Sequence, residues 1–491
     1  MRQTMARSNH LMTDIRAGLA AIPPDVSHVV GNPPHLQEIL TPPGHALALD
    51  PESPIVVGAR GAGKSFWASV IADSETLAGV APFYPRLRLA DVAVRPGFVD
   101  QPIGISVSRD TLDELAIDEK STRALWLVLA IRAAEDVLNE STCDSLESGM
   151  DIYKRSESRE RRLRELDEKL RKSGIRLVVL FDALDRLSGD WSNLRIRTTT
   201  LLETLLTMRA FRSIKFKLFV RPEQLESVPS NFTDLSKLKA GSFDLRWTAT
   251  DLYALAYTWL AGHSDSSVAF ASLLEHFRVP SPTVRDGKIS LAEHVLRDPE
   301  IQSKIFVSIA GPYMGADKRR GRTYPWLPKH LADTRGRVTP RSFLTALGSA
   351  ARFEKLPQPR YALSIEGIKH GVSEASVLRV DQLKDEYKWI ELALQPLAGQ
   401  EVPCQQDQIF DRWLEADTIQ EIRRQSRREG YLAPFQMETV DDDPNYALLR
   451  SLMEIGVVEK RPDGRANIPD LFRIAALMLR RGGPRLNRVP I

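Results

Sequence analysis

The chain has 491 residues, 43% apolar and 27% charged, and its 67 Lys and Arg against 64 Asp and Glu leave a net charge of only +3. These values exclude collagen-like, wholly disordered and disulfide-scaffold chains, and they make any basic surface a local matter. Two cysteines, Cys143 and Cys404, and nine scattered histidines exclude a disulfide framework and a zinc centre, so a reducing, cytoplasmic location is expected.

Residues 1–45 contain the pairs Pro23–Pro24, Pro33–Pro34 and Pro42–Pro43. Proline pairs oppose long helices, so this stretch reads as a proline-rich arm wrapped on the next domain. Arg2 and Arg7 precede no apolar run of signal-peptide length. The most apolar helical candidate, Ala124–Ile131, is bounded by Arg123 and Arg132 and is far shorter than the ~20 residues a membrane span needs. It reads as a buried helix, and no membrane association is expected.

From 46 to 245, short β-branched runs alternate with helical patterns, predicting an α/β domain with a parallel sheet and helices on both faces. Residues 54–65, PIVVGARGAGKS, fit GxxxxGK[ST] at Gly58, Gly63, Lys64 and Ser65, with Gly61 inside the loop. Ile55–Val57 forms an apolar strand before it, and Phe66, Val70 and Ile71 at helical spacing follow it. Strand, glycine loop and helix in that order place backbone N–H groups around phosphate oxygens at a helix N-terminus. The expected phosphate cradle is Gly58, Gly61, Ala62, Gly63, Lys64, Ser65 and Phe66, with Lys64 neutralising phosphates and the Ser65 hydroxyl on Mg²⁺. ATP and Mg²⁺ are the expected ligands.

Asp151–Lys172 carries acid-to-base pairs at i,i+4 (Glu160–Arg164, Glu165–Lys169, Asp167–Arg171, Glu168–Lys172) beside a Leu163, Leu166, Leu170 stripe, which predicts a solvated helix docked by one edge. Leu177–Phe181 is an apolar strand ending in Asp182. Ligands of parallel sheets bind outside the carboxyl ends of strands, so Asp182 is expected to hold Mg²⁺ indirectly, through a bound water or a neighbouring ligand. Asp185 either orients or deprotonates the attacking water, or is a helix N-cap or a salt-bridge partner of Arg186. The strand Lys215–Val220 ends in Arg221, which either contacts a terminal phosphate or pairs with a carboxylate such as Glu223.

A glycine loop, a strand ending in "FDALDR" (181–186) and a later "LFVRP" resemble the STAND and KAP-type P-loop ATPases of the AAA-like division, over about 200 residues. The resemblance implies that Lys64 and Ser65 are the Walker A pair, Asp182 the Walker B acid and Arg221 a sensor. Where the family has a second acid, Ala183 stands here. That departure implies a base that is missing or moved to Asp185, and slow turnover.

Residues 246–355 read as a helical lid. Between Asp317 and Arg341 lie eight Lys and Arg (318, 319, 320, 322, 329, 335, 337, 341) and two Asp, with Tyr324 and Trp326 among them and Tyr313 just before. Such a loop either binds nucleic acid by phosphate contact and base stacking, or anchors itself on the core with its aromatics buried. Thr339–Pro340 is a helix start that places Arg341 in a first turn, resembling the lid arginine of AAA-like proteins, with Arg337 as its alternative.

Residues 356–491 predict helices at Tyr387–Leu397, Gln408–Leu414 and Tyr446–Ile455, then a hairpin turning at Pro462-Asp463-Gly464. That succession looks like a winged helix, which grips DNA or contacts protein. Residues 451–491 hold eight Lys and Arg against four Asp and Glu, so DNA or RNA is a candidate partner of both 317–341 and 451–491. By resemblance, the expected function is an ATP-dependent switch, the ATPase or sensor of a bacterial antiphage complex with a separate effector protein and a homo-oligomeric form. The alternative is an ATP-regulated DNA-binding initiator or remodeller resembling origin-recognition ATPases.

Overall fold

The computed structural model describes residues 2–24, 28–226, 235–285, 287–353, 360–434, 437 and 443–480. The chain divides into two compact units. One is Ser27–Leu245 with Asp286–Lys288; the other is Met1–Val26, Arg246–Arg285 and Ile289–Ile491. Among the described residues no helix is long and apolar enough to cross a membrane.

The first unit is built on five strands, β1 (Ile55–Val57), β2 (Val92–Phe98), β3 (Arg176–Phe181), β4 (Ile214–Val220) and β5 (Ser242–Asp244), in the order β2-β3-β4-β1-β5. Every pairing is parallel. Alternation along the central strands sends side chains to both faces. Val178 and Leu180 join Val56 and Phe219 over Trp67, Val70 and Ile71 of the helix Lys64–Ala72. On the other face Phe181 meets Phe216 and, edge-on, Trp126 of the helix Glu119–Leu138. Ala124–Ile131 lies within that helix, buried apart from a half-exposed Leu127.

The charged helix forms as Ser156–Lys172, with Leu163, Leu166 and Leu170 buried. Only some of its predicted pairs form: Glu160–Arg164 at 3.2 Å and Glu168–Lys172 at 3.7 Å. Lys169 instead reaches Glu140, and Asp167 accepts the backbone N–H groups of Arg212, Ser213 and Ile214. A carboxylate that satisfies three donors at the start of β4 is worth more than an exposed pair.

The second unit corrects the predicted N-terminal arm. Arg2–Ala20 is a helix, and Met12, Ile15 and Leu19 are buried in the core of residues 246–491 rather than against the sheet domain. The prolines begin only at Pro23, so nothing opposes helix before them. The expected lid (246–355) and C-terminal domain (356–491) likewise share one unit and one core. Their seam is the helix pair Pro340–Arg352 and Ile365–Glu386. A Cβ at Gly371 would stand 2.0 Å from the Ala346 carbonyl oxygen, and one at Gly367 2.7 Å from that of Ala350. The backbones touch because these residues have no side chain. Gly371→Ala should therefore destabilise the fold by about 3 kcal/mol, read from urea denaturation; a loss below about 0.5 kcal/mol would show that the helices separate freely.

Beyond the seam, helices Gln406–Glu415, Thr418–Glu429 and Pro444–Glu454 lead to the expected hairpin, Glu459–Lys460 paired antiparallel with Ala466–Asn467. Gly464 at φ 82° closes its turn. Cys404 pairs with Ala466 on the hairpin's other side.

Candidate functional site

In the first unit β1 sends its connection toward the β2 edge, whereas its neighbour β4 sends its own toward β5. Crossovers of one hand running in opposite directions lie on opposite faces and open a crevice at the carboxyl ends of these two strands. The predicted glycine loop lies at that crevice. Gly58 N–H donates to Val220 O at 3.0 Å, seating the loop on β4. Gly61 (φ 76°) and Gly63 (φ 97°) are left-handed, a conformation that side chains oppose. Gly63 then opens the helix Lys64–Ala72. Lys64 Nζ donates to Gly58 O at 2.8 Å and Ala59 O at 3.3 Å, folded back over its own loop, while Ala62 N–H donates to Ala59 O. Phe66 packs edge-on against His28 and Trp67.

Asp182 follows β3 directly, and its N–H extends the ladder to Phe98 O at 2.9 Å. Its carboxyl is buried, and the Ser65 hydroxyl lies close enough to favour its charged form. Burial pushes its pKa up, while Ser65, Lys64 and the Ala183 N–H favour the ionised form. Lys64 and Ser65 thus share one place with Asp182, 117 positions beyond Ser65. Ala183 takes φ 55° and ψ 38°, a left-handed backbone that costs an L-residue on the order of 1 kcal/mol.

The left-handed residue turns the chain so that the short helix Leu184–Arg186 points its two charges to opposite sides. Asp185 pairs with Arg221 at 3.1 Å, across to the end of β4, and Arg186 pairs with Asp100, beyond the end of β2. Burial opposes the Asp185 charge, but the Arg221 guanidinium, a backbone N–H and the cations Lys64 and Arg186 outweigh it and hold the carboxyl below its ordinary range. Gln224 holds the Arg221 backbone, its Oε1 accepting the Arg221 N–H at 2.7 Å.

Sequence alone offers Arg186 as the partner of Asp185 and Glu223 as that of Arg221; the folded chain pairs Asp185 and Arg221 with each other. The signal was available, since both residues follow consecutive strands, and β3 and β4 prove to be neighbours. Arg341 and Arg337 belong to the other unit. There Thr339 caps the helix Pro340–Arg352 as expected, its Oγ1 accepting the Ser342 N–H, with Arg341 in the first turn.

The residues fit a Mg²⁺-nucleotide. The glycine loop is a backbone cradle, crowded enough that a Cβ on Gly58 would lie 3.1 Å from Lys64 Cγ. Among the described residues no group of three or more His, Cys, Asp or Glu could hold a metal alone. One carboxylate beside one hydroxyl suits Mg²⁺, which completes its shell with phosphate and water oxygens.

The basic loop resolves in favour of anchoring for its aromatics. Tyr324 is buried, stacked on Tyr253 with centroids 4.2 Å apart, its hydroxyl donating to Gln302 Oε1 at 2.7 Å. Trp326 stacks on His330 at 3.9 Å. In the C-terminal stretch, Arg473 and Arg480 pair with buried Asp470 and Arg465 with Asp463. Arg481, Arg485 and Arg488 lie outside the described residues.

No protein-family model matches the chain, and no curated protein matches its sequence. Among solved structures, the Walker-type ATPase Paby2304 of Pyrococcus abyssi aligns over 92% of this chain and 99% of its own, with a TM-score of 0.37 and 12% identity. A score that low leaves the chemistry to be judged from this chain's own residues.

Proposed function

We propose that the unit Ser27–Leu245 binds Mg²⁺·ATP and hydrolyses it slowly, and that the chain acts as a nucleotide-controlled switch of STAND/AAA-like type. The observation that supports this most is the meeting of Lys64, Ser65, Asp182, Asp185 and Arg221 at the carboxyl ends of β1, β3 and β4.

Mg²⁺, held by Ser65 and Asp182, would supply positive charge to the phosphate oxygens. Lys64 exchanges its two loop carbonyls for phosphate oxygens, and the loop N–H groups bind and orient the phosphates. Asp185 orients the attacking water. With Ala183 in place of a second acid, turnover falls well below the enzyme median of about 10 s⁻¹. Arg221 carries the switch. A terminal phosphate competes with Asp185 for its guanidinium, so triphosphate breaks a pair that diphosphate leaves intact. A separate effector protein and self-association are expected by resemblance to STAND proteins.

The test is ATP titration and phosphate release by the full chain. Asp185→Asn should lower turnover by about tenfold or more, the scale of a lost water-positioning contact, with ATP affinity kept within about threefold. Unchanged turnover would remove Asp185 from the reaction, and absence of ATP binding would end the whole reading. A second reading, an ATP-regulated DNA-binding initiator, draws on the hairpin of residues 459–467 with Cys404 alongside, which is winged-helix-like; it requires DNA affinity to change between ATP and ADP.

A further inference from the structure

We propose that the basic turn of residues 313–329 binds the phosphate backbone of double-stranded nucleic acid. Lys318, Arg319, Arg320, Arg322 and Lys329 are all exposed. Among the described residues none of the five forms an ion pair, in contrast to Arg465, Arg473 and Arg480 of the same unit. The cations stand on a built frame rather than a loose loop. Tyr313 and Arg322 form a backbone bridge, and Met314 N–H donates to Gly321 O at 2.9 Å. Asp317 caps the short helix Lys318–Arg320 through the Arg319 N–H at 2.8 Å. The Arg320 stem lies over Gly315, where a Cβ would come within 2.4 Å of Arg320 Cγ. Below the turn, the helix Thr323–His330 is fixed by Tyr324 in the core and by His330 Nδ1 at 2.5 Å from buried Asp470.

Chemistry narrows the partner. Five unpaired cations within twelve positions repel one another and are relieved by a dense, regular anion. Single-stranded nucleic acid would call for exposed rings on which bases stack. Here Tyr324 is buried and Trp326 is stacked on His330 and half-buried, so half-buried Tyr313 is the one other ring beside five exposed cations, and the turn offers phosphate contacts far more than stacking. Phosphate contact alone fits a duplex, read without regard to sequence.

Fluorescence anisotropy of the full chain with a labelled mixed-sequence duplex, over a salt series, tests this. Five phosphate contacts predict a slope of log affinity against log salt of about −4 to −5. The triple variant Lys318→Gln, Arg319→Gln, Lys329→Gln changes only exposed positions. It should flatten the slope by about 3 and weaken binding by at least about tenfold at 0.1 M salt, with an unchanged melting temperature confirming the fold. Absence of duplex binding at low salt, or binding whose slope ignores the variant, overturns the proposal. So does tighter binding of the matching single strand, or capture by phosphatidylserine vesicles with the duplex ignored.

Discussion

Lys64→Ala should lower ATP affinity at least about a hundredfold while the chain keeps its melting temperature. The side chain is half-exposed and belongs to no apolar cluster, so its loss leaves the sheet and its two faces intact. What it loses is charge. Its Nζ donates to two neutral carbonyls, Gly58 O and Ala59 O. Phosphate oxygens replace them with charge-assisted bonds, each worth roughly 1.5–3 kcal/mol, and two such contacts give the hundredfold. Calorimetric titration of ATP against the purified variant reads it. Unchanged affinity in a folded variant would mean that the glycine loop is a structural turn with an incidental lysine.

Lys217→Ala should destabilise the first unit by about 4 kcal/mol. Lys217 is fully buried in the middle of β4, where an apolar side chain would be ordinary. Its Nζ donates to three backbone carbonyls, Leu47 O at 3.2 Å, Asp50 O at 2.8 Å and Ser53 O at 2.8 Å. Two of these terminate the short helix Ala46–Leu49, whose last carbonyls have no partner within the helix. Truncation orphans all three and opens a cavity along the stem. Lys217→Met keeps the stem volume and should cost about 2–3 kcal/mol, the hydrogen-bond part alone.

The same residue gives the fold a pH dependence. Burial pushes the Lys217 pKa down to about 7, with Asp50 acting against it, whereas an unfolded lysine titrates near 10.4. Between those values the unfolded chain binds more protons than the folded one, so the stability contributed by this group rises with pH from about 7 to about 10 and is lost as pH falls through 7. Urea midpoints measured from pH 7 to 9 should rise for the wild type and rise less for Lys217→Met. Parallel curves would show that Lys217 keeps its charge throughout.

Local chemistry was legible without coordinates wherever a few adjacent residues carry the whole instruction. Gly58, Gly61 and Gly63 before Lys64-Ser65 specify a strand–loop–helix because only glycine takes those backbone angles freely. The runs Ile55–Val57, Leu177–Phe181 and Lys215–Val220 were strands by composition, and Thr339-Pro340 and Pro462-Asp463-Gly464 were a helix start and a hairpin turn by the same logic. The tertiary structure alone decided which of these lie side by side. No spacing announces that β4 inserts between β1 and β3, and that insertion brings Arg221 to Asp185 and leaves Arg186 for Asp100. Burial is equally non-local: Tyr324 and Lys217 look like surface residues until a neighbour from a distant segment covers them. The helix Arg2–Ala20 forms ahead of the proline pairs because proline restricts only its own φ, its missing N–H and the residue before it, so Pro23–Pro24 and later pairs leave it free. Motif, turn and cap are short-range and survive in sequence; pairing, burial and the partner of a charge depend on contacts between segments far apart in the chain, and only the folded chain fixes them.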